Sequence, residues 1–178
     1  MIDVVLTDRC VRKLKRELRS AKSNEIGGVL AAEQVADGHF VVRDLSVQRE
    51  GSPTRFVRDP VKARVFMRRF HLRMANQPER FNYLGEWHSH PSFLALPSVS
   101  DLVQMQALIE ERDQASSFLV LMIVKLDRDG RLLGSSHAFR RRMSPVRVRL
   151  HAQDGTALRE ECLAISPSTW RAWSRFRG

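Results

Sequence analysis

Cysteine is scarce in this chain, and long apolar runs are missing. Cys10 and Cys162 are the only two cysteines among 178 residues, and thiols so far apart do not make the disulfide framework of a small secreted protein. We interpret both as partly buried thiols in a reducing compartment. No segment approaches the roughly 20 apolar residues of a membrane span, and the first residues alternate charged and apolar side chains. These absences predict a cytoplasmic protein without a membrane partner.

Internal repeats and low-complexity linkers are also lacking. The chain has 43 % hydrophobic and 28 % charged residues, which is ordinary globular composition and provides enough apolar side chains for a core. Since single cores usually run to about 100–200 residues, we expect one domain over residues 1–178.

Acidic residues are outnumbered, with 20 Asp plus Glu against 30 Lys plus Arg and a formal charge of +10. Such an excess favours an acidic partner, which could be nucleic acid, an anionic membrane or an acidic protein surface. The arginines are densest at 140–149 and 170–178, without an aromatic ladder or a nucleic-acid-binding motif. We interpret them as a solvated basic surface and do not expect a nucleic-acid partner. A basic module that binds nucleic acid or protein remains an alternative of another class.

Hydrophobic periodicity predicts strands and helices in a mixed order. Strands are predicted at 2–6, 26–33, 38–47, 81–91, 116–127 and 131–141, and helices at 8–22, 60–77 and 99–112. The segment 51–60 is predicted as a surface loop. Beyond residue 142 we expect an added edge strand at 144–152 and a short helix at 166–176. This order gives an α/β class, with a mixed sheet covered by helices.

Two histidines and an aspartate form the segment that is richest in chemistry. His88 and His90 project the same way from an extended strand, because side chains repeat at every second position. Pro91 ends that strand, and Asp101 falls in the first turn of the next helix, from which its carboxylate can reach back. Three N/O ligands with a fourth position left for water are typical of a catalytic zinc site. This pattern therefore predicts zinc and hydrolysis.

Hydrolysis at such a site also needs a base, which is usually a carboxylate outside the coordination shell. Spacing alone does not choose among the candidates. Strand parity places Glu86 on the same side as His88, so parity does not exclude it. The open candidates are Glu25, Glu33, Glu86, Glu110 and Glu111.

A family resemblance is carried by these same residues. Glu25 is followed by Gly-Gly-Val-Leu, and His-Ser-His-Pro at 88–91 leads to Ser98 and Asp101 with the spacing H-x-H-x7-S-x-x-D. The pattern resembles the JAB1/MPN/Mov34 metalloenzymes, called JAMM, over about residues 3–140. The resemblance implies a JAB/MPN domain of cytidine-deaminase-like fold, a mixed curved β-sheet flanked by helices, and leaves 141–178 as a C-terminal extension.

The same resemblance assigns roles to the site residues. It implies that His88, His90 and Asp101 bind one Zn²⁺ per chain, that Glu25 is the general base and acid, and that Ser98 stabilises the oxyanion of the tetrahedral intermediate. A hydroxyl donor at that position would stabilise charge that exists only in the transition state. Residues 27 and 28, both glycine, would let their strand lie close to the floor of the metal site.

The substrate implied by the resemblance is an amide or isopeptide bond after the C-terminal glycine of a ubiquitin-like protein or another conjugated protein. Segments 51–60 and 92–96 are expected to form the channel walls. The compact chain is similar to stand-alone bacterial JAB proteins of antiphage operons and integrative elements, which remove a conjugated cGAS-like nucleotidyltransferase and work beside conjugation-operon proteins. The alternatives are a deconjugase for a dedicated bacterial ubiquitin-like modifier and a peptidase that processes sulfur-carrier proteins.

Overall fold

The computed structural model describes residues 2–111 and 116–158, and it contains every strand and helix predicted up to residue 141, with ends that differ by up to four residues. The strands are β1 (Asp3–Leu6), β2 (Gly27–Ala36), β3 (His39–Leu45), β4 (Phe81–Ser89), β5 (Leu119–Leu126), β6 (Leu132–Phe139) and β7 (Val146–Ala152). The helices are α1 (Asp8–Ala21), α2 (Pro60–Arg73) and α3 (Val99–Glu110). None of the helices in these two ranges is long and apolar enough to cross a membrane.

The seven strands form one mixed sheet that curves into a closed barrel in the order β1-β3-β2-β4-β5-β6-β7. The pairs β1/β3, β1/β7 and β4/β5 are parallel, and the other neighbours are antiparallel. Register shifts near Ala31 interrupt the pairing of β2 with both of its neighbours, and such bulges increase the local bend of a sheet. The predicted α/β class with a mixed, curved sheet is confirmed.

The central strand β5 is apolar on both faces because the sheet is covered on both sides. Its Val120, Met122 and Val124 belong to the core cluster that also contains Leu14 and Leu18 of α1. The alternate side chains of β5 pack in a second cluster with α3, formed by Met105, Ile109, Leu119, Leu121, Ile123 and Phe139. The uninterrupted hydrophobic run at 119–124 is therefore explained by two cores that share one strand.

The helix termini carry local signals that explain their positions. Thr7 caps α1 by accepting a hydrogen bond from the backbone of Cys10, and Asp59 caps α2 just before Pro60, which are ordinary N-terminal devices. The predicted helix at 60–77 ends earlier, at Arg73, because Ala75 and Asn76 adopt positive φ angles of 51° and 53°. That left-handed backbone is incompatible with continuing an α-helix.

The strand predicted at 144–152 is present as β7, but its prediction as an edge strand is wrong, since β7 pairs with β6 on one side and with β1 on the other. It closes the barrel, so the barrel extends past residue 140, where the resemblance ended. Short-range periodicity cannot reveal this, because the partner strand β1 lies at the other end of the sequence. Cys10 is buried, whereas Cys162 and the predicted helix at 166–176 lie outside the described residues.

Candidate metal centre

The two histidines lie where β4 ends. His88 is the second-last residue of the strand and His90 follows it, and both side chains are buried. Their rings are stacked with centroids 5.1 Å apart, as expected for residues two positions apart on extended backbone. The strand itself is pressed against β5 at Gly85, where φ is +152° and a Cβ would lie 1.9 Å from the Val120 carbonyl oxygen. Only glycine allows this approach.

Asp101 reaches the histidines from the first turn of α3. Ser98 caps that helix: its backbone N–H and its hydroxyl both donate to Asp101 Oδ2 at 2.7 Å, and its Oγ accepts from the Asp101 backbone. This reciprocal capping box fixes the carboxylate at the helix start. Asp101 Oδ1 lies 3.4 Å from His88 Nε2, and Oδ2 lies 3.4 Å from His90 Nε2.

The three side chains could hold a metal ion. One donor atom from each of His88, His90 and Asp101 lies within 4.8 Å of the others, and two imidazole nitrogens with one carboxylate oxygen are a ligand set that Zn²⁺ accepts. His88 Nε2 is buried and has no hydrogen-bond partner among the described residues. A buried nitrogen in this state is costly, and a cation held between the donors would satisfy it.

The orientation of His90 is set by the loop that contains Leu94, which the sequence analysis expected to form a channel wall and did not identify as a partner of the histidine. His90 Nδ1 lies 3.1 Å from the Leu94 carbonyl oxygen; Nδ1 donates this hydrogen bond, which leaves the Nε2 lone pair for a metal. The loop is held by Lys125, which donates to the Phe93 carbonyl at 2.7 Å, and by Ser135, which donates to the Ala95 carbonyl at 2.6 Å. These partners are distant in sequence, so no local motif reveals them.

Glu25 comes to the site from the segment just before β2. Its backbone N–H donates to the Ser52 carbonyl at 2.9 Å, and the neighbouring Ile26 exchanges hydrogen bonds with Ser89 at 2.8 and 3.0 Å. The segment is thereby fastened both to the loop 51–60 and to the histidine strand. Glu25 Oε1 lies 4.0 Å from His90 Nε2, adjacent to the group of three donors but not a member of it.

Gly27 supplies the space for this arrangement. A Cβ there would lie 2.5 Å from Phe56 Cε1 and 2.8 Å from His88 Cβ, distances that no real side chain tolerates. Phe56 is itself buried, with its ring centroid 6.2 Å from that of His88. The sequence analysis gave the glycine a role at the floor of the site but did not identify Phe56, which lies in the loop predicted at 51–60.

Burial and neighbouring charges shift the pKa values of three side chains at the site. Burial raises the pKa of the Glu25 carboxyl, and the nearby His90 and His88 only partly oppose this. Burial acts in the same direction on Asp101, but the adjacent imidazoles of His88 and His90 and the donating Ser98 hydroxyl hold the pKa of that carboxyl far below its usual range. Burial alone would lower the pKa of His90, and the Asp101 carboxylate outweighs it and raises that pKa. Asp101 is thus a permanent anion, and Glu25 is a better proton carrier.

Three of the other candidate bases have partners outside the group of three donors. Glu33 is buried between Arg43 and Arg80, and Glu86 is paired with Arg58. Glu110 accepts a hydrogen bond from Gln106 at 2.6 Å. Glu86 and Glu111 line a groove beside His88. Of the five carboxylates left open by the sequence, Glu25 is the one that forms a described ion-pair contact with a histidine of the site, at 4.0 Å from His90 Nε2.

A groove of about 240 Å³ lies beside the metal centre. It is lined by residues 56–58, by part of α3, and by Glu86, His88, Asp101, Glu111 and Leu121. Loop 51–60, predicted as a channel wall, therefore lines this groove. The second predicted wall, 92–96, lies beside His90 instead: the ring centroids of Phe93 and His90 are 6.4 Å apart. Residues 92–96 do not line the groove.

Comparison with known proteins bears on both fold and family. A family model described as prokaryotic homologs of the JAB domain matches residues 7–142. No functionally curated protein matches the chain. Two solution structures share the fold. A Desulfitobacterium hafniense protein is 19 % identical with a TM-score of 0.63, and the match covers 84 % of this chain and 92 % of that one. A Salinibacter ruber protein is 22 % identical with a TM-score of 0.52, and the match covers 88 % of this chain and 96 % of that one. A crystal structure of a JAB1/MPN domain protein from Archaeoglobus fulgidus is more distant (14 %, 0.42, 83 % and 97 %).

Proposed function

The chain belongs to the prokaryotic homologs of the JAB domain, and we propose that it is a zinc metallopeptidase of the JAMM type. The observation that carries this proposal is the convergence of His88, His90 and Asp101 beside Glu25. The first three would hold one Zn²⁺ per chain through two imidazole nitrogens and one carboxylate. The ion, when bound, supplies a Lewis acid that polarises the scissile carbonyl and activates water.

Glu25 is the general base and general acid of the proposed reaction. Its carboxylate takes a proton from the attacking water and returns it to the nitrogen of the leaving amine, so that proton transfer is balanced over the cycle. A raised pKa suits this task, since a carboxyl of higher pKa holds the proton better between the two steps. The burial that raises the pKa of Glu25 therefore supports its assignment.

Ser98 is proposed to donate a hydrogen bond to the carbonyl oxygen as negative charge develops on it. Its hydroxyl donates to Asp101 Oδ2 at 2.7 Å, so the proton has to rotate towards the substrate during the reaction. The Ser98 backbone N–H, which also donates to Asp101 Oδ2 at 2.7 Å, would hold the carboxylate during that rotation. Ser98 would in this way both orient the Asp101 carboxylate as a metal ligand and stabilise the oxyanion of the transition state.

We propose that the substrate is the C-terminal glycine tail of a ubiquitin-like protein or of another conjugated protein. The groove beside His88 supports this, because a space of about 240 Å³ suits an extended strand without side chains better than a folded loop. The apolar part of its lining, which includes Val57, Met105 and Leu108, would contact the residues that precede the glycines. The bond after the last glycine would then lie at the histidines.

Within this class we propose a role in a bacterial antiphage conjugation system, in the cytoplasm, where the enzyme removes a conjugated cGAS-like nucleotidyltransferase from its targets. The alternatives are deconjugation of a dedicated bacterial ubiquitin-like modifier and processing of a sulfur-carrier protein. The substrates of these three reactions differ in their folded domain but share a C-terminal glycine. Purified candidates of each kind, offered separately, distinguish them by which one is cleaved.

The test is cleavage of a ubiquitin-like protein, encoded beside this chain, that is fused through its C-terminal glycine to a reporter. We expect cleavage after the glycine, loss of cleavage with a zinc chelator, and recovery when zinc is restored. Glu25→Gln should abolish turnover while the protein still binds one zinc, because Glu25 lies outside the ligand group.

The matched control is Glu33→Gln, which makes the same chemical change at an equally buried carboxylate. It removes the partner of two arginines and should lower stability, but folded protein should cleave the fusion at close to the wild-type rate. Cleavage that survives complete removal of zinc, or a Glu25→Gln variant with undiminished turnover, would contradict the proposed function.

A further inference from the structure

A second, larger groove lies between α1 and α2, over the end of β3. Its volume is about 590 Å³, and none of the five residues of the candidate site lines it. The groove is lined by Arg9, Lys13, Glu17, Asp44, Ser46, Val47, Gln48, Arg49, Val61, Lys62, Val65, Phe66, Arg69 and Arg73. Nothing in the proposed reaction uses it.

Positive charge dominates the lining of this groove, where six cationic side chains face two carboxylates. Both carboxylates are already doubly paired: Glu17 with Arg16 and Arg49, and Asp44 with Lys13 and Arg73. Arg9 and Arg69 are exposed and form no ion pair with any carboxylate of residues 2–111 and 116–158. The groove therefore keeps an excess of positive charge after its internal pairs are counted, which favours an anionic occupant.

Apolar side chains lie among these cations. Val61 and Val65, one turn apart on α2, are 56 % and 46 % exposed. Val47 and Phe66, both half-buried, also line the groove. Single exposed valines need no explanation, but an apolar stripe set between cations in one concavity marks an interaction site.

We propose that this groove docks an acidic, amphipathic polypeptide segment of a partner protein. Its carboxylates would meet Arg9 on α1 and Arg69 on α2, and its apolar face would cover Val61 and Val65. A groove between two helices with exposed apolar side chains in its lining is a recurrent way to bind an amphipathic helix. Charged contacts would speed encounter, and burial of the valines would supply affinity.

Nucleic acid fits the same lining less well. Phosphates would pair with Arg9 and Arg69 but would leave the two valines uncovered. Single-stranded nucleic acid also relies on bases stacked on aromatic rings, and Phe66 is the one aromatic side chain among the lining residues. The combination of charge with aliphatic surface is what selects a protein segment.

The first test uses the full chain and a short fluorescein-labelled peptide of glutamate and leucine, with the leucines at helical spacing, followed by fluorescence anisotropy. The double variant Arg9→Glu with Arg69→Glu should weaken binding by about tenfold or more, since each change replaces an attraction by a repulsion. The matched control is Arg12→Glu with Arg68→Glu, which lies on the same helices, is equally exposed, and changes net charge equally. It should weaken binding by less than about threefold, because charges outside the groove act only through the screened field.

The second test separates a protein partner from nucleic acid. Val65→Ser removes apolar contact at a position that is already 46 % exposed, so the fold should be unaffected, and peptide affinity should fall severalfold. Zinc content and thermal unfolding are measured on every variant, which makes the result independent of whether hydrolysis is observed. Equal losses in the two arginine pairs, absence of peptide binding, or tighter binding of an oligonucleotide that Val65→Ser leaves unchanged would overturn the proposal.

Discussion

Two clusters in this molecule have the same composition, one aspartate between two histidines, and yet they differ in character. In the metal centre, Asp101 lies 3.4 Å from both His88 Nε2 and His90 Nε2. At the seam that closes the barrel, Asp3 of β1 lies 3.3 Å from His39 Nδ1 on β3 and from His151 Nε2 on β7. We call this second group the seam cluster. Distance and residue type alone do not distinguish the two.

The difference lies in convergence and in neighbouring charge. Arg149 Nη2 lies 3.4 Å from Asp3 Oδ2, so the seam carboxylate already has a cation, and His39 is 49 % exposed. Asp101 has no lysine or arginine within ion-pair distance in residues 2–111 and 116–158, and its cluster is the group there whose donors gather within 4.8 Å. A metal site therefore requires donors aimed at one point and an anion left without a cation. Composition is not enough.

The largest expected effect comes from removing one histidine of each cluster. His88→Ala should lose bound zinc and reduce hydrolysis by at least about a thousandfold, because two ligands do not retain a catalytic ion and the ion supplies the Lewis acid. His151→Ala should keep one zinc per chain and most of the activity. Elemental analysis and the fusion-cleavage assay measure both. Loss of zinc from both variants, or from neither, would break the distinction between the clusters.

Replacing the aspartate should lower the free energy of unfolding in the seam cluster and zinc binding in the metal centre. Asp3→Asn leaves Arg149 without its carboxylate and weakens two contacts that join β1 to β3 and β7, so we expect a loss of roughly 2–3 kcal/mol in the free energy of unfolding. Zinc content should not change. Asp101→Asn should lose zinc, with a smaller effect on the unfolding of the metal-free chain. Denaturant unfolding with and without chelator separates the two. A seam variant as stable as wild type would show that the cluster does not hold the barrel closed.

The sequence predicts one of these clusters and not the other, for a physical reason. Strand parity brings His88 and His90 together, and the start of a helix brings in Asp101, so local periodicity plus one loop defines the metal centre. The seam cluster depends on the register of β1 with two strands, one of them β7, at the far end of the chain. The same limit explains why the Leu94 carbonyl, Phe56 and the closure of the barrel were not predicted.

A fifth histidine, His137, sharpens the comparison because it forms no ion pair with an acidic residue of 2–111 or 116–158. Burial, aided by Arg147, lowers the pKa of His137 from 6.5 to about 4. Below about pH 6.5 the imidazole of His137 is protonated in the unfolded chain but stays neutral in the folded chain. Its contribution to the free energy of unfolding is therefore fully present above that pH and is lost as the pH falls towards 4. By about pH 5 the loss should be about 2 kcal/mol. We expect the unfolding free energy of His137→Phe to fall less steeply than that of wild type between pH 7 and 5; parallel curves would rule this account out.

The smallest expected effects separate two glycines, one beside each cluster, that are required for different reasons. At Gly27 there is no room for a side chain, because a Cβ would lie 2.5 Å from Phe56 and 2.8 Å from His88. Gly27→Ala should therefore displace the histidine and weaken zinc affinity by about tenfold.

Gly38, whose carbonyl accepts from the Asp3 backbone at 2.8 Å, has instead a φ of +73°. Gly38→Ala should cost about 1 kcal/mol of stability through backbone strain and leave zinc affinity unchanged. Zinc titration with a competing chelator and thermal unfolding measure both variants. If Gly38→Ala weakened zinc binding as much as Gly27→Ala, the two clusters would be mechanically coupled through β2 and β3, and the metal centre would depend on the seam that closes the barrel.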